Sequence, residues 1–173
     1  MMVLDKYRTI PREGFFLRKE EAAYIAGFFD GDGSVRIQLQ PRENTRLGFR
    51  VRAIMSFAQK IGHETQLRWI RRKLRIGYIY TRNDGMSELK IEGFSTVERI
   101  LRLLEPFVLF KKKQVRLVLN ALEVLKQDGE HILEIAKISD RLSALNYVTV
   151  KKRYTAKVVA KYLQSKKIYP RND

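Results

Sequence analysis

Cysteine is absent from the 173 residues, and histidine occurs only at positions 63 and 131. The first absence excludes disulfides, thiolate nucleophiles and thiolate zinc sites, and it frees the fold from any oxidising compartment. The second leaves too few imidazoles for a multi-histidine metal site within one chain. No run of about 18 apolar residues occurs, so a membrane-spanning helix is not expected. The segment Met1 to Arg18 lacks the apolar stretch and small-residue cleavage site of a secretory leader, which sets the expectation of an intracellular protein. No low-complexity tract or short repeat interrupts the chain. Acids are scarce: 19 Asp and Glu stand against 35 Lys and Arg, leaving a net charge of +16. Such a surplus steers polyanions, and nucleic acid, rather than a membrane or a small-molecule substrate, is the expected partner. The charge is also concentrated, because Arg36 to Arg82 holds 12 cations and only Glu43 and Glu64 as acids, which is +10 of the +16.

What is present reads as a soluble globular domain, with 45% hydrophobic and 31% charged residues. We divide it into an N-terminal arm (1–18), a core (19–146) and a basic C-terminal helix with its tail (147–173). Residues 19–30 predict a helix with Glu20 and Glu21 in its first turn and no recognisable N-cap, stopped by Gly31 and Gly33. Period-two alternation then predicts a strand over 34–40, with Val35, Ile37 and Leu39 on one side and Arg36, Gln38 and Gln40 on the other. A second strand over 47–57 turns Phe49, Val51, Ala53 and Met55 inward and Arg50, Arg52, Ile54 and Ser56 outward. A helix over 64–76 ends at Gly77. A hairpin follows, with Tyr78, Tyr80 and Arg82 against Lys90 across an Asn83-Asp84-Gly85 turn. Ser95 and Glu98 have the spacing of a capping box for the next helix, and 112–127, 130–145 and 155–166 complete a helical C-terminal part. The order helix, hairpin, helix, hairpin, helices defines an α+β fold, with an antiparallel sheet covered on one face and open on the other. The open face carries donors suited to base edges and phosphates.

The run Ala23-Tyr24-Ile25-Ala26-Gly27-Phe28-Phe29-Asp30-Gly31-Asp32-Gly33-Ser34, between a helix and an alternating strand, closely resembles the signature of the LAGLIDADG homing endonucleases. Gln59-Lys60 beyond the second strand and Pro106 to Gln114 after the fourth extend the resemblance, which covers roughly residues 19–146 and is of the single-motif type. It implies an αββαββα fold with a saddle-shaped DNA-binding sheet and extra C-terminal helices. It also implies a homodimer that hydrolyses both strands of a long pseudo-palindromic DNA site with a divalent metal and leaves 3′ overhangs, its gene carried in a mobile intron or intein.

The residues bear the chemistry independently. Phosphodiester hydrolysis needs an activated water, a neutralised phosphorane and a stabilised leaving oxygen, which bound Mg²⁺ supplies. Mg²⁺ needs only one or two carboxylates beside water and phosphate, with Mn²⁺ or Ca²⁺ as alternative occupants. Asp32, placed just past the helix end, is the candidate metal carboxylate, and the Gly31 carbonyl a second oxygen. An EF-hand reading fails, because its register puts Val35 where glycine belongs and Pro41 where glutamate belongs. Ala23, Gly27 and Gly31 recur every four residues and permit two such helices to approach closely; that this packing brings two Asp32 carboxylates to a two-fold axis is what the resemblance implies. The resemblance implies that Asp32 binds metal, Gln59 positions water and Lys111 lies near that water, with Lys113 as an assistant. Asp30 is read as structural. About four extra residues within Ile61 to Glu64 place Leu67 where relatives carry a basic residue, leaving Arg68 or Lys60 as substitutes.

For DNA contact we expect Ser34, Arg36, Gln38, Gln40, Arg42, Arg50, Arg52, Ile54, Ser56, Tyr78, Tyr80, Arg82 and Lys90, with Lys151, Lys152 and Arg153 on phosphates. A seven-residue strand spans about 23 Å, or roughly seven base pairs per half-site. The alternatives are an RNA maturase of the same fold with an idle acidic site, and a DNA-binding protein that does not cleave.

Overall fold

The computed structural model describes residues 17–42, 45, 47–127, 131–146 and 152–166. Its elements run α1 (Lys19–Asp32), β1 (Gly33–Pro41), β2 (Phe49–Lys60), α2 (Thr65–Leu74), β3 (Tyr78–Thr81), β4 (Met86–Glu92), α3 (Phe94–Leu104), α4 (Lys112–Val124), α5 (Ile132–Leu145) and α6 (Ala156–Ser165). This is the α+β order expected from the hydrophobic periodicity. The four strands join in one sheet in the order β1-β2-β4-β3. No helix among the described residues is long and apolar enough to cross a membrane.

Several element ends differ from expectation for local reasons. Helix α1 continues through Gly31, so Asp32 is its last residue rather than the first beyond it; the Gly33 N–H closes on the Phe29 carbonyl. At its start, the Glu21 carboxylate reaches back to accept the Arg18 N–H at 3.2 Å. That bond supplies the cap that no Ser, Thr, Asp or Asn provides. Ser95 does not cap: α3 begins at Phe94 with Gly93 as its N-cap, so Ser95 lies inside the first turn. Helix α2 stops at Leu74 because Arg75 adopts a left-handed conformation, φ 51°, before Gly77 is reached.

The chain forms two compact units. In the first, residues 17–34 and 55–111, α1, α2 and α3 bury Ile25, Phe29, Leu67, Ile70, Leu74, Val97, Ile100 and Leu101, with Phe57, Leu89 and Ile91 from the strands. The Phe29 and Phe57 rings meet edge to face at 6.0 Å. The extra loop before α2 is tied in by Glu64, whose carboxylate accepts from the Gly62 N–H at 3.0 Å and the Ser87 hydroxyl at 2.8 Å. These donors, the Gly62 N–H first, hold its pKa down at about 2.

The second unit, residues 35–54 and 112–166, packs Leu39 and Phe49 against Ile132, Ala136, Val159 and Leu163 of α5 and α6. The buried Ser139 hydroxyl donates to the Ile37 carbonyl at 2.6 Å, pinning α5 to β1. Lys152 donates to Asp140 at 2.6 Å and to the Ser139 hydroxyl at 2.8 Å. Its ammonium, expected on a phosphate, is thus engaged by α5 in this structure.

Gly77 makes the turn from α2 into β3. Its φ is +90°, and a Cβ there would stand 2.8 Å from both the Ile91 Cγ1 and the Lys90 carbonyl. Neither conformation nor space admits a side chain. Gly77→Ala is expected to destabilise the protein by about 2–4 kcal/mol, read as a lower urea midpoint at unchanged slope.

Candidate active site

The last turn of α1 leaves carbonyls without helical partners, and the chain from Val108 to Lys111 is folded to answer them. Asp30 accepts the backbone N–H groups of Leu109 at 2.7 Å and Lys111 at 2.9 Å. With that segment fixed, the Lys111 ammonium sits on three carbonyls: Phe29 at 3.0 Å, Asp30 at 2.5 Å and Gly31 at 3.0 Å. A cation at a helix C-terminus is favourable, and here it is directed by hydrogen bonds. Burial draws the Lys111 ammonium below the usual lysine value, while the Asp30 and Asp32 carboxylates act the other way. Asp30 is thus a structural anchor, the role expected of it.

Asp32 is the exposed acid at the end of the same helix. Gln59, which lies within β2 rather than beyond it, donates Nε2 to the Asp32 Oδ2 at 2.6 Å. The structure therefore gathers all three expected catalytic side chains, Asp32, Gln59 and Lys111, around the C-terminal end of α1. An acid in this position opposes the helix dipole. No cluster of three or more His, Asp or Glu residues that could hold a metal exists among the described residues. Among the described residues, the end of α1 thus offers a hard cation the exposed Asp32 carboxylate and the Gly31 carbonyl, which already accepts from Lys111. That donor set fits a divalent cation sharing its shell with water and phosphate, and is too small for a closed structural site.

The strand faces follow the expected alternation in β1, where Val35, Ile37 and Leu39 are buried and Arg36 and Gln38 exposed, with Gln40 half-buried. Arg42 and Arg50 are exposed and Arg52 half-buried; in the hairpin, Tyr78, Tyr80 and Lys90 are half-buried and Arg82 exposed. Two expected contacts are corrected. Ile54 is 1% exposed, so its methyls are not free to meet a thymine. Ser56 is also buried, and its hydroxyl pairs with that of Ser34 at 2.9 Å. Strand β2 is an inner strand, and short or apolar side chains in the middle of such a strand are shaded from both sides. Arg153 is exposed, and Lys151 lies outside the described residues.

On α1, Ala23 is half-buried and Gly27 and Gly31 are exposed. A Cβ at Gly27 or Gly31 would meet nothing within 4 Å, whereas one at Gly33 would fall 2.6 Å from the Phe29 carbonyl. Gly33 is required by the chain's own packing; the other two are not. In the segment whose backbone Asp30 holds, Leu109 and Phe110 are 73% and 84% exposed, and the sequence reading did not single them out.

The end of α1 brings an exposed carboxylate together with a lysine and a glutamine, a set of side chains suited to metal-assisted hydrolysis. The model of the LAGLIDADG endonuclease family matches residues 25–124, and the chain belongs to that family. It is similar to DNA endonuclease I-CreI of Chlamydomonas reinhardtii, 34% identical over 134 residues that cover 74% of this chain and 80% of the relative. It is also similar to DNA endonuclease I-CvuI of Chlorella vulgaris, 32% identical over 125 residues, 71% of this chain and 78% of the relative. A crystal structure of I-CvuI with uncleaved DNA and magnesium superposes with a TM-score of 0.78 at 30% identity, covering 85% of this chain and 94% of that one.

Proposed function

We propose that this protein is a homodimeric, site-specific DNA endonuclease that hydrolyses both strands of a long pseudo-palindromic duplex and leaves 3′ overhangs. The observation that carries the reading is Asp32, an exposed carboxylate set against the helix dipole and met by Gln59 at 2.6 Å. A fold has no structural use for an acid there, while a cation does. Asp32 and the Gly31 carbonyl would hold Mg²⁺. The bound metal supplies charge neutralisation at the phosphate and a more acidic water. Gln59 orients the Asp32 carboxylate and offers its amide to a water beside it. Lys111, tethered through Asp30, brings a positive charge to the reacting phosphate. The exposed side chains Arg36 and Gln38 of β1, Arg42 just beyond it and Arg50 of β2 meet the duplex, with exposed Arg82 and half-buried Tyr78, Tyr80 and Lys90 of the hairpin, and with Arg153 on a phosphate.

One carboxylate per chain suits a site completed by a second copy. The stripe Ala23, Gly27 and Gly31, open beside both glycines, and the exposed pair Leu109 and Phe110 supply a contact face next to Asp32. Glycine in a helix costs about 0.5–1 kcal/mol relative to alanine, so two unneeded glycines point to a requirement outside the chain. The test is incubation with the intron-free form of the locus carrying its gene, in Mg²⁺ and in EDTA. One defined double-strand break with 3′ extensions, seen only with Mg²⁺, is expected; an intact locus in both arms would reject the proposal.

A further inference from the structure

We propose that Glu88 is a specificity-determining positioning residue: its carboxylate fixes Arg82 and Tyr80 on the outer face of the β3–β4 hairpin and trades general affinity for phosphate against discrimination between bases. This rests on the reading that the outer face of the hairpin meets DNA.

In the antiparallel pairing of β3 with β4, Tyr80 stands opposite Glu88 and Tyr78 opposite Lys90. Opposed residues share a face, so all four project away from the face on which Leu89 and Ile91 are fully buried. Glu88 is nevertheless only 4% exposed, the least exposed acid among the described residues. Its Oε2 accepts the Tyr80 hydroxyl at 3.0 Å and lies 3.5 Å from Arg82 Nη1, while Arg82 Nη2 reaches Asp84 Oδ2 at 2.5 Å. The guanidinium is thus held from two sides. The other oxygen, Oε1, is buried with no hydrogen-bond partner among the described residues. Leaving such an oxygen unsatisfied is costly, and a merely structural position would shed that cost by accepting a neutral side chain.

Lys90 pairs with Glu92 at 2.6 Å, so both outer-face cations of the hairpin, Arg82 and Lys90, are matched by carboxylates. Arg36, Arg42 and Arg50 carry no acid partner among the described residues. A surface selected for phosphate affinity alone would not place three acids, Asp84, Glu88 and Glu92, on this hairpin, because each repels the phosphate chain. A surface selected to read bases gains from them: a fixed guanidinium makes a directional two-bond contact with guanine at low entropic cost, and wrong partners are penalised.

The experiment selects bound duplexes from a randomised DNA library, with the full-length wild type, Glu88→Gln and Arg82→Lys, without Mg²⁺. Glu88→Gln is expected to lose about tenfold or more in base discrimination over a few contiguous base pairs of each half-site, while its affinity for random-sequence duplex rises several-fold at low salt. Arg82→Lys should lose discrimination at the same base pairs. Wild-type preferences retained in Glu88→Gln, a uniform loss over the whole site, or different base pairs affected by the two variants would each overturn the proposal. A wild type that selects no sequence would instead remove the DNA-reading function itself.

Discussion

Asp32→Asn is expected to fold, to bind its DNA and to cleave neither strand, the Mg²⁺-dependent rate falling by about a thousandfold or more. Among the described residues, Asp32 is the exposed acid that meets Gln59 at the same helix end as the Lys111 ammonium. Asparagine keeps the shape and an oxygen that can still accept from Gln59, but loses the charge that a hard cation needs. Stability should move in the opposite direction. Asp32 ends α1, whose last turn contains no basic residue of its own. Removing a negative charge there relieves an unfavourable dipole contact of about 0.3–1 kcal/mol. A thermal midpoint equal to or above the wild type, together with lost cleavage, identifies a functional acid; a structural one would lose stability first. DNA affinity should hold or rise, since one repulsive charge has gone. Metal-dependent cutting by the pure variant would refute the assignment.

Where burial is decided locally, the sequence was a sufficient guide. Alternation in Ser34 to Gln40 placed Val35, Ile37 and Leu39 inside and Arg36 and Gln38 outside, because a strand has only two faces. The motif around Asp32 led to Gln59 and Lys111 through resemblance, and the three converge on one helix end. What escaped depends on neighbours distant in sequence. Ile54 and Ser56 follow the outward register of β2, yet an inner strand is shaded from both sides, which alternation cannot express. Ser95 with Glu98 matched a capping spacing, but Gly93 took the N-cap and moved the helix start. Lys152 looked like another surface cation until α5 supplied Asp140 and Ser139. Leu109 and Phe110 carry no periodic signal that marks them out; Asp30 binds the backbone of this turn and leaves both side chains outside.

Gly27→Leu is expected to separate the proposed dimer while leaving the chain folded. Within its own chain, a side chain at Gly27 enters open space, and leucine exceeds glycine in helix propensity by close to 1 kcal/mol. A protein that worked as a monomer would accept the change and become slightly more stable. If α1 packs on a second α1 through Ala23, Gly27 and Gly31, the branched side chain instead occupies the space of the partner backbone, and close approach is lost. Cleavage should fall with it by about a hundredfold or more, because a displacement near 1 Å at a reacting centre already has that effect. Gly27→Ala is the graded control, adding one methyl and weakening association less. Sedimentation velocity gives the mass of each variant, thermal unfolding its integrity, and cleavage in Mg²⁺ its function. A Gly27→Leu variant that sediments as a dimer and cuts at the wild-type rate would place the partner on another face of the chain, and Asp32 would then need a different source for the rest of its metal site.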